Sequence, residues 1–185
     1  TLTLNAQEDA PSFSLSGTVD AYYRANLSAP NDEDAIAPGS SFAQLPGFAL
    51  GMANVIASYE GEKVGFVADL AFGPRANAAN AYDGAINQLY AYYNASDKVT
   101  FTLGQFNTFY GYEVISPTGN FNYSVSYLFN AGPFSHTGLK LDYAASEDLS
   151  FMLASVFALP LSRARLRTKP SMPTSKTLVF MMSLY

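Results

Sequence analysis

His136 stands between Ser135 and Thr137 and is the chain's single histidine. A hydroxyl beside an imidazole is the pairing of nucleophilic catalysis, but that chemistry needs a positioned serine and an acid behind the ring. No Gly-x-Ser-x-Gly elbow accompanies it. A membrane phospholipase is the enzyme such a residue would suggest, and the reading adopted is that the chain is not an enzyme. With no cysteine and one histidine, the usual zinc ligands are missing. Asn31-Asp32-Glu33-Asp34 offers the hard oxygens that calcium takes, yet lacks the glycine and final glutamate of an EF-hand loop and reads as a solvated loop tip. Gly104 and Gly111 lack the Lys-Ser/Thr ending of a phosphate loop. No metal and no cofactor is expected.

The charges with informative spacing lie elsewhere. Asp20 and Arg24 fall in a segment where Phe13, Leu15, Gly17, Val19, Ala21, Tyr23, Ala25 and Leu27 alternate with Ser12, Ser14, Ser16, Thr18, Asp20, Tyr22, Arg24 and Asn26. Asp69 alternates in the same way with Leu70 and Phe72, and Lys140 and Asp142 with Leu139, Leu141 and Tyr143. A two-residue period places such charges on one face of a strand and the apolar residues on the other. Inside a β-sandwich these charges would be buried at several kcal/mol each unless paired. A water-filled lumen removes that cost, so the five are read as lining a pore.

Seven segments carry this pattern: Ser12–Leu27, Phe48–Glu60, Lys63–Pro74, Gly84–Ala95, Lys98–Phe109, His136–Glu147 and Leu149–Phe157. Phe48–Glu60 is the least regular, because Phe48, Leu50, Met52 and Ile56 share a parity with Asn54 and Ser58. The connections alternate between long and short. Tight turns at Glu60–Lys63, Asn94–Lys98 and Ser146–Asp148 fall on one side, and the stretches Ser28–Gly47, Pro74–Asp83 and Tyr110–Ser135 on the other. Short turns at one rim and long loops at the other are the grammar of an outer-membrane barrel. Phe13, Tyr59, Tyr93, Phe101, Tyr143 and Phe151 recur beside the short turns, where an aromatic girdle sits.

Composition agrees. Charged residues make up 14% of the 185 residues, against roughly 25% in a soluble domain, while Tyr (13) and Phe (14) are plentiful and Trp is absent. No apolar run approaches the ~18 residues of a membrane helix, so a bilayer would be crossed by strands. The two ends differ from the middle. Residues 1–11 read as a signal-peptide remnant and mature N-terminus around Leu4-Asn5-Ala6, and 12–159 as strands of the barrel. All 15 acidic residues precede Pro160, whereas residues 160–185 hold Arg163, Arg165, Arg167, Lys169 and Lys176 and no acid. This basic tail is broken by Pro160, Pro170 and Pro173 and shows no regular period, so nucleic acid is not expected as a partner. It reads as an aberrant, frame-shifted continuation, or as a last strand from Thr177 to Tyr185 whose terminal aromatic resembles the ending that barrel-insertion machinery reads.

Val64–Pro74, Leu103-Gly104-Gln105-Phe106, Gly111–Ile115, Pro117-Thr118-Gly119-Asn120 and Pro133–Gly138 together resemble the OmpL-like β-barrel porins of Bacteroidetes-type bacteria, over about Ser12 to Ala154. The resemblance implies an all-β, antiparallel transmembrane barrel in the bacterial outer membrane, represented here by an N-terminal portion. Porins of this general kind fold the third outer loop inward, which assigns Glu113, Asn120, Asn122, Tyr123 and Tyr127 to a constriction. The expected role is passive diffusion of small hydrophilic solutes with a mild cation preference, and outer-membrane lipid is the expected surround. Two alternatives stay open: a pore-less eight-stranded anchor or adhesin, and a soluble lipocalin-like binder.

Overall fold

The computed structural model describes residues 11–32, 42–80, 85–157 and 176–184. Eight strands, β1 (Ser12–Arg24), β2 (Gly47–Glu60), β3 (Val64–Phe72), β4 (Ile86–Ser96), β5 (Val99–Asn107), β6 (Ser135–Ala144), β7 (Leu149–Phe157) and β8 (Lys176–Leu184), form one sheet in chain order. Every neighbouring pair is antiparallel. Two one-turn helices, α1 (Pro74–Ala79) and α2 (Tyr127–Ala131), lie in the long connections. Among the described residues β1 and β8 do not pair with each other, so the wall is a barrel segment with two edges. No described helix is long and apolar enough to cross a membrane.

The long-short rhythm of the connections is observed, with some strands ending earlier than the alternation suggests. β1 stops at Arg24 because Asn31 Oδ1 accepts from the Asn26 amide at 2.6 Å and Asn31 Nδ2 donates to the Asn26 carbonyl at 2.8 Å. Asparagine side chains that satisfy nearby backbone in this way compete with a ladder. Lys176–Leu184, in the tail that shows no period, forms β8 against β7 from Phe157↔Lys176 to Leu149↔Leu184. Arg163, Arg165, Arg167 and Lys169, and residues 1–10 of the segment 1–11 read as a signal-peptide remnant and mature N-terminus, lie outside the described residues.

The two faces meet different surroundings. Phe13, Leu15, Val19 and Tyr23 of β1, Val64, Phe66, Leu70 and Phe72 of β3, Leu89 and Tyr93 of β4, Leu103 of β5 and Leu139 of β6 are all exposed on one face. On the other, Asn54, Asp69, Thr102 and His136 are buried. A water-soluble lipocalin arranges its faces the other way, with the apolar side inward.

β2 explains its own irregular pattern. Val19 pairs with Ala53 but Ala21 pairs with Leu50, so β2 carries one extra residue opposite Asp20. A bulge of this kind changes the phase of the alternation. Before it Phe48 and Leu50 point to the exposed apolar face, and after it Asn54, Ile56 and Ser58 point to the opposite one. The parity shared by these residues in the sequence is therefore not a shared face.

Aromatic rings line the apolar face at the short-turn end. Phe13 pairs with Tyr59 and Tyr59 with Phe66, whose rings stack at 5.9 Å; Tyr93 pairs with Phe101, and Tyr143 stacks on Phe151 at 6.3 Å. At the other end Tyr23 packs on Phe48 at 4.8 Å. From Phe13 to Tyr23, steps of ~3.3 Å at a tilt of ~45° give roughly 23 Å, close to the ~25 Å band of an outer-membrane barrel. Val19, 83% exposed, lies midway between the two rows. Val19→Arg is expected to lose ~2–4 kcal/mol, the lipid-facing penalty at mid-depth, in denaturant unfolding from phospholipid vesicles. Ser16→Arg, on the opposite face, is expected to change stability by no more than ~0.5 kcal/mol.

Candidate functional site

The connection from β5 to β6 does not stay at its own edge of the sheet. Thr108 continues the ladder beyond β5, its amide donating to the Phe134 carbonyl at 3.0 Å. From there the loop reaches back to β1, where the Tyr123 hydroxyl donates to Asp20 Oδ2 across 103 positions of sequence. Four strand spacings of ~4.8 Å, or ~19 Å, separate β5 from β1. Ile115, Val125 and Phe129 from the loop are buried against Met52 of β2, Ala71 of β3, Ala76 and Ala79 of α1, and Phe42. The loop thus lies over the polar face, on an apolar patch built from β2, β3, α1 and Phe42.

Three devices hold it there. Asp20 accepts from Tyr123 on one oxygen and from the Met52 amide at 2.9 Å on the other. The β2 bulge aims that amide, and Gly51 makes room, since a Cβ there would overlap both the Asp20 carboxylate and the Tyr123 hydroxyl. Arg75 of α1, 1% exposed, donates through Nε to the Ile115 carbonyl at 2.6 Å and through Nη1 to the Tyr123 carbonyl at 2.8 Å. Its guanidinium lies 4.9 Å from the centre of the Phe42 ring and 5.2 Å from that of Tyr123. Desolvated cation–π contacts of this kind contribute ~2 kcal/mol. Burial pulls the Arg75 pKa down, while Tyr123 and the negative charge of Asp20 push it back up. Burial, and then the bond to Asp20, push the Tyr123 phenol upward, so it stays a donor.

Within the loop, Asn120 closes a tight staple: its Oδ1 accepts from the Val114 amide at 2.8 Å and its Nδ2 donates to the Val114 carbonyl at 2.7 Å. Glu113 accepts from the Ser126 amide at 2.8 Å and from the Ser126 hydroxyl, and that hydroxyl in turn caps α2 by accepting from the Phe129 amide at 3.1 Å. Asn122 and Tyr127 are exposed.

The five wall charges have four different settings. Asp69 is 3% exposed and accepts from Asn54 Nδ2 at 3.2 Å and Asn87 Nδ2 at 2.6 Å, with Gln88 Nε2 at 3.5 Å. Its carboxylate meets amides rather than open water, which offsets the cost of burying it. Lys140 and Asp142 form an ion pair at 2.8 Å and are partly exposed, Lys140 also lying 5.6 Å over the Phe106 ring. Arg24 follows Tyr22 on the same face of β1, half-buried. Asp20 reaches the loop through the Tyr123 hydroxyl.

His136 is buried, its Nε2 3.0 Å from the Thr108 hydroxyl and its ring stacked on Phe109 at 4.2 Å with the edge of Tyr110 at 5.2 Å. These contacts fasten the base of the loop. Asn31 is engaged with Asn26, and Glu33 and Asp34 lie outside the described residues. Among the described residues no group of three or more His, Cys, Asp or Glu gathers into a metal site.

Sequence reasoning passed over Arg75, Gly51, Asn54 and Asn87. Arg75 did leave a trace, being the one basic residue between Lys63 and Lys98, set directly after Gly73-Pro74; proline at a first helical position marks a helix start. Gly51→Ala is expected to lower stability by ~1–3 kcal/mol, as overpacking does, in guanidinium unfolding of the detergent-folded protein. Gly132→Ala, where an added Cβ would meet atoms no nearer than 3.6 Å, is expected to be tolerated.

An inward-reaching loop on the polar face of an antiparallel wall is a porin arrangement, and the comparisons with known proteins agree with it. No curated protein and no solved structure matches the chain. Residues 12–158 match the family model described as Putative beta-barrel porin-2, OmpL-like, and the chain belongs to that family.

Proposed function

We propose that the protein is a passive diffusion channel for small hydrophilic solutes in the bacterial outer membrane, with the loop between β5 and β6 as its constriction. The observation that carries this reading is the single sheet with two media: an apolar band rimmed by aromatics on one face, and on the other a polar wall with a loop fastened across it. Porin selectivity needs only the width of the opening and the groups that line it. Asp20, Arg24, Lys140 and Asp142 supply the charges, Asp69 stiffens the wall behind the loop, and Asn122 and Tyr127 face the remaining opening. Glu113, Asn120 and Tyr123 keep the loop in shape and in place. Membership of a porin family supports a non-enzymatic role. Outer-membrane lipid would contact the apolar band, and barrel-insertion machinery would deliver the protein there.

The test is electrical. Protein refolded into planar lipid bilayers is expected to give discrete conductance steps, with a reversal potential in a salt gradient that favours cations modestly. Lys140→Gln frees Asp142 from its ion pair and is expected to strengthen the cation preference, whereas Asp142→Asn is expected to weaken it. Membranes that take up folded protein yet carry no current would point to the pore-less anchor instead.

A further inference from the structure

A notch of about 310 Å³ opens on the apolar face near the short-turn end, lined by Val64 of β3, Ala91 and Tyr93 of β4, and Phe101 and Leu103 of β5. The register explains it. Ala91 stands between Phe66 and Leu103, and the next row toward the turns is Val64, Tyr93 and Phe101. One methyl group among five large side chains leaves a depression, because neighbours on a pleated face stand upright and do not lean in to fill it. On either side the aromatic girdle is closed by stacking, Tyr59 on Phe66 at 5.9 Å and Tyr143 on Phe151 at 6.3 Å. A methylene needs about the ~30 Å³ of a water molecule, so the notch has room for roughly ten carbons of an acyl chain.

We infer that this notch seats one chain of a phospholipid with a zwitterionic, ammonium-bearing headgroup and holds it longer than the lipid around it. The inference rests on the reading that the apolar band meets lipid, and deepens it by naming one site and one class of lipid. The notch is continuous with that band, since Val64, Tyr93 and Leu103 are exposed and belong to both; apolar surface so placed takes an apolar occupant. The headgroup is chosen by the turns below. Glu60, Glu62 and Lys63 between β2 and β3, and Asp97 and Lys98 between β4 and β5, are all exposed, and the turn from β6 to β7 adds Glu147 and Asp148. Carboxylates outnumber lysines, which disfavours an anionic headgroup. A zwitterionic one meets both signs, its ammonium a carboxylate and its phosphate a lysine. Lys98 already gives one donor to the Ala145 carbonyl at 3.3 Å, so Lys63, directly before Val64 in the chain, is the phosphate partner.

The chain has no tryptophan, so an introduced indole reports alone. Leu103→Trp places it at the notch, and Val64→Trp is a second reporter there should the first perturb folding. Leu15→Trp on β1 is the control, because Leu103 is 65% exposed and Leu15 68%, and each follows a girdle residue, Phe101 or Phe13, on the same face. The proteins are folded into phosphatidylglycerol vesicles containing increasing amounts of phosphatidylethanolamine with brominated chains, which quench an indole on contact. Leu103→Trp is expected to be quenched at a several-fold lower brominated fraction than Leu15→Trp. Ala91→Leu fills the notch and is expected to bring the two curves together, with the far-UV dichroism of the sheet unchanged. A difference that survives Ala91→Leu would overturn the inference, as would one of equal size when phosphatidylglycerol carries the bromine in phosphatidylethanolamine vesicles. Equal quenching of both indoles sinks the inference alone. Should neither indole be quenched at any fraction, the membrane reading falls and takes the inference with it.

Discussion

Each residue of a strand turns its side chain to the face opposite its neighbour's, and a wall whose faces meet different media must keep that alternation in phase on every strand. A slip of one residue would present Asp69 and Lys140 to the apolar side and Leu70 and Leu139 to the polar one. The ladder from β1 to β7 keeps the phase by register, and where the phase must change it does so at a bulge. The bulge in β2 leaves Phe48 and Leu50 in line with Tyr23 and Ala21 while turning Asn54 toward Thr18 and Asp69. A second irregularity, between Asp69 and Leu70 on β3 opposite β4, frees Asn87 to reach Asp69. Both irregularities spend an extra residue to aim a polar group.

The loop in turn is organised around charge that the wall cannot leave bare. Burying a guanidinium is unfavourable unless carbonyls, rings and a nearby carboxylate replace its water. Arg75, on α1, obtains these from three other places in the chain, the loop, Phe42 and the charge of Asp20 on β1, and so ties them to one another. The apolar cluster of Met52, Ala71, Ala76, Ile115, Val125 and Phe129 supplies the area that keeps the loop down, but it is non-directional. Direction comes from the polar contacts: two carbonyls eight residues apart accept from one side chain, which sets the arch of the loop, and the Tyr123 hydroxyl sets where along β1 it lands. Selectivity by such an opening is a property of this arrangement rather than of any one residue.

The architecture was legible because its signals are local. Two-residue alternation in Ser12–Arg24, Val64–Phe72 and Ser135–Ala144, aromatics beside the tight turns, and the long-short rhythm of connections all survive in one dimension, and they sufficed for an antiparallel wall with an apolar and a polar face. Local signals misled where a bulge broke the period, as in Gly47–Glu60, and they left Thr177–Tyr185 between an aberrant continuation and a last strand, the strand being what pairs with β7 over Lys176–Leu184. They also ran past the true end of β1, since the exchange between Asn26 and Asn31 has no periodic signature.

The site was legible only in outline. Tyr123, Glu113 and Asn120 stood out as polar or aromatic residues in a long loop, and Asp20 as a charge on the polar face, but nothing in their spacing says that Tyr123 meets Asp20 while Glu113 folds back on Ser126. By itself the sequence determined which residues turn to which medium, because that follows from the pleat and needs no partner. Only the tertiary structure decided that Arg75 is buried, that Gly51 is an empty space kept for a hydrogen bond, and that Asp69 belongs to the wall's interior, because each of these depends on segments that come together from far along the chain.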